Sequence, residues 1–110
     1  MTQQQIIAQA EAIQPALVEQ IVQEGWIQDL QLQIWQEVLC ACEDAPEKPQ
    51  PGAPLLIAPP YTDLYVYHLL RQGALVAGDT EQYNQYLLLF SSRYREFAAW
   101  YLRNHKPKGA

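Results

Sequence analysis

Residues 80–104 read TEQYNQYLLLFSSRYREFAAWYLRN. Within them Tyr83, Leu87, Phe90, Tyr94, Phe97 and Tyr101 recur at intervals of 4, 3, 4, 3 and 4. An α-helix turns once every 3.6 residues, so these six side chains share one stripe. The flanks agree with a helix. Asp79 and Gln82 have capping-box spacing, and Glu81 lies in the first turn, where the helix dipole favours negative charge. Arg103, His105 and Lys106 crowd the positive-favouring end, and Pro107 closes the pattern. Such a helix would be roughly 37 Å long, about the width of a small domain. The rest of the chain is expected to pack on it.

Immediately upstream, Thr62 is an expected N-cap, with Asp63 in the first turn of a helix reaching about Ala77. Gly78 is the stop between the two helices, so they should form an antiparallel hairpin. Gly73 is costly inside a helix, and close approach of a neighbour is its expected reason.

Before the hairpin lies a change of composition. Six of the eight prolines (Pro46, Pro49, Pro51, Pro54, Pro59 and Pro60) fall between Ala45 and Pro60. That density excludes a helix and predicts an extended connector. Leu55-Leu56-Ile57 inside it is apolar and capable of forming a short strand. Two readings stand: a tether pinned to the core by these residues, or an arm that binds a partner.

Towards the start, Thr2 and Gln5 have capping-box spacing, and Ile6, Ile7, Ala10 and Ile13 make one face of a helix over 2–13. Pro15 suits the first position of a second helix, with Leu17, Val18, Ile21 and Val22 as its face and Gly25 as its break. Trp26 to Cys42 reads as a further helix with Ile27, Leu30, Ile34 and Val38 on its stripe.

The expected fold is all-α, a small bundle of four or five helices centred on the C-terminal hairpin. The chain of 110 residues is expected to be a single helical domain. Its parts are N-terminal helices over 1–44, a connector over 45–61, the hairpin over 62–105 and a flexible tail over 106–110.

Composition narrows the function. The net charge is −5, which argues against a nucleic-acid-binding surface. Residues 1–60 hold eight acidic side chains and one basic, whereas 61–110 hold four acidic and six basic. Opposite-sign halves suit either a folded helix pair or head-to-tail contacts between copies. Cys40 and Cys42 point to different sides of a helix and cannot bridge each other there. No metal or cofactor site is expected, because the two histidines are far from the cysteines in sequence. His68 and His105 have no partner pattern for catalysis, and the five glycines are scattered singly. No enzyme is expected. No basic leader precedes an apolar run, and no run is long enough for a membrane span.

Tyr61, Tyr65, Tyr67, Tyr83, Tyr86, Phe90, Tyr94, Phe97, Trp100 and Tyr101 all lie in the last fifty residues. One stripe buries about half of them. The others pack on the N-terminal helices or bind another subunit. Candidate interface residues are Leu55, Leu56, Ile57, Tyr61, Tyr65, Tyr86, Trp100 and Arg103.

Two stretches resemble a known family. In GWIQDLQLQIWQEVL, Trp26-Ile27 opens a helix that reaches Trp35 and Val38. The stretch from Leu55 to Lys108 carries, in order, Leu55, Leu56, Pro60, Tyr61, Leu64, Tyr65, Tyr67, Leu69, Gly78, Asp79, Tyr83, Asn84, Phe90, Phe97, Tyr101, Arg103, His105 and Pro107. The ordered set resembles small structural proteins of tailed bacteriophages and prophages, of the head–tail connector (adaptor, head-completion) kind. The segment between the two stretches is shortened here to the proline-rich connector, and Asn84-Gln85 stands where the family often has Asn-Asn. The resemblance implies an all-helical subunit that assembles as a ring between portal and tail, with no catalysis and no cofactor. Its partners would be copies of itself and portal or tail-side virion proteins, with no specific nucleic acid and no membrane. Its place would be the virion, and the host cytoplasm during assembly. Two other classes stand beside it: a bacterial helical adaptor or regulatory domain dimerising through its aromatic face, and a small nucleic-acid-binding protein.

Overall fold

In a computed structural model of the chain, residues 2–14, 19–39, 55, 57 and 60–104 are described. Four α-helices account for most of them: α1 (Gln3–Ile13), α2 (Gln20–Ile34), α3 (Asp63–Ala77) and α4 (Thr80–Asn104). The protein is an all-α bundle. Both cysteines, most of the proline-rich segment and the tail after Asn104 lie outside the described residues.

α1 begins as its sequence dictates. Thr2 Oγ1 accepts from Gln5 N–H at 3.3 Å, and Gln5 Oε1 accepts from Thr2 N–H at 2.9 Å, so both arms of the capping box form. Ile6, Ile7 and Ala10 are buried, whereas Ile13, expected on the same face, points outward.

α2 departs from expectation. It runs unbroken through Gly25, which is neither a break nor a cap. Pro15 lies outside the described residues, but Glu19 is extended (φ −67°, ψ 154°), so the helix that carries Ile21 and Val22 starts at Gln20 and not at Pro15. Ile21 and Val22, expected to be buried, are exposed, and Gln23 is buried at 2% exposure. The reason is phase. Stepping back from Ile34 through Leu30 and Ile27 at intervals of 4 and 3 lands on Gln23, not on Ile21 or Val22. Gln23 Nε2 donates to Glu11 Oε1 at 3.1 Å, so the inward amide is used to tie α2 to α1.

After Ile34 the chain widens into a π-helical turn, Trp35–Leu39. The wider turn changes the phase of the stripe, and the adjacent Val38 and Leu39 are both buried. Glu37 on this turn accepts from the Tyr94 hydroxyl of α4 at 2.5 Å.

α3 and α4 share the largest contact between elements. Gly78 takes φ +76°, the left-handed conformation that costs a Cβ-bearing residue strain. Gly78 N–H donates to Leu75 O at 3.2 Å and Asp79 N–H to Ala74 O at 2.9 Å, which is a Schellman motif. Asp79 Oδ1 then accepts from Gln82 N–H at 3.0 Å and starts α4. The reciprocal arm of that box is missing, because Gln82 Oε1 has no hydrogen-bond partner. Thr62 stands before α3, but its side chain caps nothing; the residue is helical (φ −64°, ψ −18°) and buried.

The core gathers Ile6 and Ile7 of α1, Ile27, Leu30 and Ile34 of α2, Leu64, Tyr65, Leu69 and Leu70 of α3, and Phe90, Phe97 and Tyr101 of α4. Leu55 and Ile57 of the connector join it, as the tether reading requires. Tyr65 is fully buried, at 0% exposure. Its hydroxyl donates to Gln31 Oε1 at 2.9 Å and accepts from Ile57 N–H at 3.1 Å. Burial pushes the phenol pKa well above its usual value, and the Ile57 hydrogen bond opposes this.

Gly73 is not there for close packing. A Cβ built on it meets nothing within 4 Å. It borders a cavity of about 30 Å³ between α1, α2 and α3. Gly73→Ala should therefore raise the unfolding free energy, by up to about 1 kcal/mol. Gly78→Ala should lower it, by roughly 1 kcal/mol. Denaturant titration of the two variants checks both signs, and a destabilised Gly73→Ala would refute the open-space reading. Tyr65→Phe removes the hydrogen bonds to Gln31 Oε1 and Ile57 N–H, and should cost about 1–3 kcal/mol in the same assay.

Candidate functional site

The entrance to α3 is held by one side chain of α4. Arg93 Nε donates to both Asp63 carboxylate oxygens at 3.1 Å, Nη1 to Glu96 Oε2 at 2.8 Å and Nη2 to the Pro60 carbonyl at 3.0 Å. Its guanidinium also lies 4.4 Å from the centre of the Tyr61 ring. Glu96 and then Asp63 hold the guanidinium more firmly in its charged form. Tyr61 in turn meets Phe97 edge-on at 5.5 Å and Trp100 at 5.4 Å. The end of the connector is thus fixed to the second half of α4 by charge and by rings together.

The expected interface residues divide. Leu55, Ile57 and Tyr65 are buried in this chain's own core and offer no surface, a correction that follows from the Tyr65 hydrogen bonds and the apolar packing around them. Tyr61 and Tyr86 are half-buried against that core. Trp100 and Arg103 are exposed. Leu56 lies outside the described residues. Of the aromatics from Tyr61 to Tyr101, only Trp100 is exposed.

A different surface stands free. On α4, Leu88, Ser92, Arg95, Ala99 and Leu102 follow one another at 4, 3, 4 and 3, and all five are exposed. Leu88 is 72% and Leu102 61% exposed. They are 14 residues apart, or roughly 21 Å along the axis. α4 therefore carries two stripes at helix-packing spacing, the aromatic one facing inward and this one facing out. Leu89 and Trp100 flank the outer stripe, and Leu75 and Val76 are exposed near the end of α3. The spacing of Leu88 and Leu102 was readable in the sequence, but the larger aromatics of the inner stripe dominate the same helix.

His68 and Arg71 form a polar pair inside α3. Arg71 Nη2 donates to His68 Nδ1. The imidazole is buried and lies 5.9 Å from Phe90. Its Nε2 has no partner at hydrogen-bond distance, although the Trp26 backbone is close enough to favour the charged form slightly. Burial, and then the Arg71 charge, lower the His68 pKa from 6.5 to about 4. The pair gives a neutral imidazole beside a cation, with no carboxylate hydrogen-bonded to either among the described residues. Among the described residues no group of three or more His, Cys, Asp or Glu could hold a metal ion. Among them, too, no helix is long and apolar enough to cross a membrane.

Comparison with protein-family models, with curated proteins and with solved structures finds no match.

The His68 environment makes stability depend on pH with a definite sign. Between about pH 6.5 and 4 the unfolded chain binds the His68 proton and the folded chain does not. Stability is full above this window and falls as the pH is lowered through it, by an amount on the order of 3 kcal/mol. His68→Gln should flatten the slope of unfolding free energy against pH between pH 5 and 6.5. Equal slopes for the two proteins would show that the imidazole is not held neutral.

Proposed function

We propose that this protein is a non-enzymatic assembly subunit of a tailed-phage or prophage particle, a head–tail connector that forms a ring between portal and tail. The observation that carries the reading is the outer stripe of α4. Two exposed leucines, Leu88 and Leu102, bracket Ser92, Arg95 and Ala99 at helix-packing spacing on the outer side of α4, and such a mixed face suits contact with another helix, from a second copy or a portal or tail-side protein. The ordered resemblance of the 55–108 stretch to phage connector proteins supplies the biological setting. The fixed α3 entrance supports the same role. Arg93, Tyr61 and Trp100 hold the connector against α4, so the outer stripe is presented on a rigid element.

The adaptor reading changes its surface. A dimer through the aromatic face has only Trp100 exposed to use, so it too would rest on the Leu88–Leu102 stripe.

The test is co-sedimentation with DNA-filled, tailless capsids of the phage or prophage that neighbours the gene. Wild-type protein is expected to pellet with the capsids and to restore tail joining. Leu88→Glu with Leu102→Glu, both at exposed positions, should leave thermal stability nearly unchanged and abolish both effects. Wild-type protein that stays in the supernatant, with capsids competent for tails without it, would refute the connector.

A further inference from the structure

The two half-buried arginines of the hairpin are treated very differently. Arg93 meets two carboxylates, a backbone carbonyl and a tyrosine ring. Arg71 has a ring too, with its guanidinium 4.4 Å from the centre of Phe90. Its Nη2 donates to the neutral His68 Nδ1. Among the described residues no further hydrogen bond or ion pair is found for it. Its Nε is buried without a partner, and both ion pairs among the described residues belong to Arg93. Tyr83 of α4 lies near and favours the charged form, but brings no fixed negative charge. A half-buried guanidinium with a buried, unpartnered Nε and no counter-ion among the described residues is a costly arrangement for a fold that satisfies Arg93 so fully.

We propose that Arg71, backed by Phe90 and oriented by His68, is a binding site for a carboxylate. The planar fork suits a carboxylate, because two parallel N–H groups can meet its two oxygens. His68 already takes one N–H of Nη2 and so sets the plane of the guanidinium, while the Phe90 face supports it from one side. Partial burial strengthens the attraction relative to a surface arginine. The carboxylate can come free from solution or from an acidic side chain of a second copy. The chain carries a net charge of −5, and Glu19, Asp29 and Glu81 stand exposed on it. The second source rests on the assembly reading, and the first does not.

The experiment follows the Arg71 Nε–Hε resonance of the full-length protein by NMR at neutral pH. Arg71→Lys has no Nε, so the resonance missing from its spectrum is the assignment. Sodium acetate should move the Arg71 signal saturably, while sodium chloride at equal ionic strength leaves it in place. In acetate-free buffer, raising the protein concentration should move it in the same direction if a second copy supplies the group. A response to acetate alone assigns the site to free carboxylates, and a response to concentration assigns it to a neighbouring chain. Either supports the site. No response to acetate or to concentration, or an equal response to chloride, overturns it. Because acetate binding needs no assembly, a protein that fails to form rings still gives a decisive answer.

Discussion

The Tyr65 hydroxyl sits where three segments meet. It lies on α3, donates to Gln31 of α2 and accepts from the backbone of Ile57 in the connector. The N-terminal helices and the hairpin are joined covalently only through the proline-rich stretch between them. Their relation in space therefore depends on packing, and packing alone is not directional. One buried phenol with both its donor and its acceptor used fixes α2, the connector and α3 in a single register. The Ile6, Ile27, Leu30 and Ile34 side chains then fill the space that this register leaves. Gln23–Glu11 and Tyr94–Glu37 work in the same way at the edges, tying α1 to α2 and α4 to the π-helical turn.

The hairpin divides its labour by face. Inward, α4 offers Phe90, Phe97 and Tyr101 to the core. Sideways, it spends one arginine on the entrance of α3. Outward, it keeps Leu88 and Leu102 exposed at the two ends of a stripe that also holds Ser92, Arg95 and Ala99. Arg71, on the opposing helix, is the counterpart of Arg93 without its carboxylates. A fold can tolerate an exposed leucine at little cost, but an under-paired guanidinium beside a neutral histidine carries a larger penalty, which gives the site its interest.

Much of this was legible in the residues, and the failures have physical causes. α4 and its turn were readable because a stripe of six large side chains is long, and because Gly78 and Asp79 have few other uses together. α1 was readable from its capping box. α2 was not, because short apolar pairs such as Ile21-Val22 look like a face and the residue truly on the face is a glutamine. The π-helical turn has no pattern of its own, since it shows only as a change of phase at Val38 and Leu39. Tyr65 was placed at an interface because a tyrosine on a helix serves equally well inside or outside. Only the partners of its hydroxyl decide, and those lie 34 and 8 residues away. Arg71 gave no signal, because a missing partner cannot be read from sequence.

The separation between those partners has an entropic side. α3 and α4 are adjacent in the chain, with a two-residue turn that closes on itself. Their meeting needs only a small loop to close, whereas the Tyr65–Gln31 bond spans 34 residues, including the proline-rich segment. Loop-closure entropy has to be met before a distant contact gives any return. The hairpin therefore closes at the lower entropic cost, and the docking of α2 on Tyr65 carries the larger one. The spacing of Leu88 and Leu102 lies within this locally closed part, so it is set by α4 itself and not by the contact across the proline-rich segment.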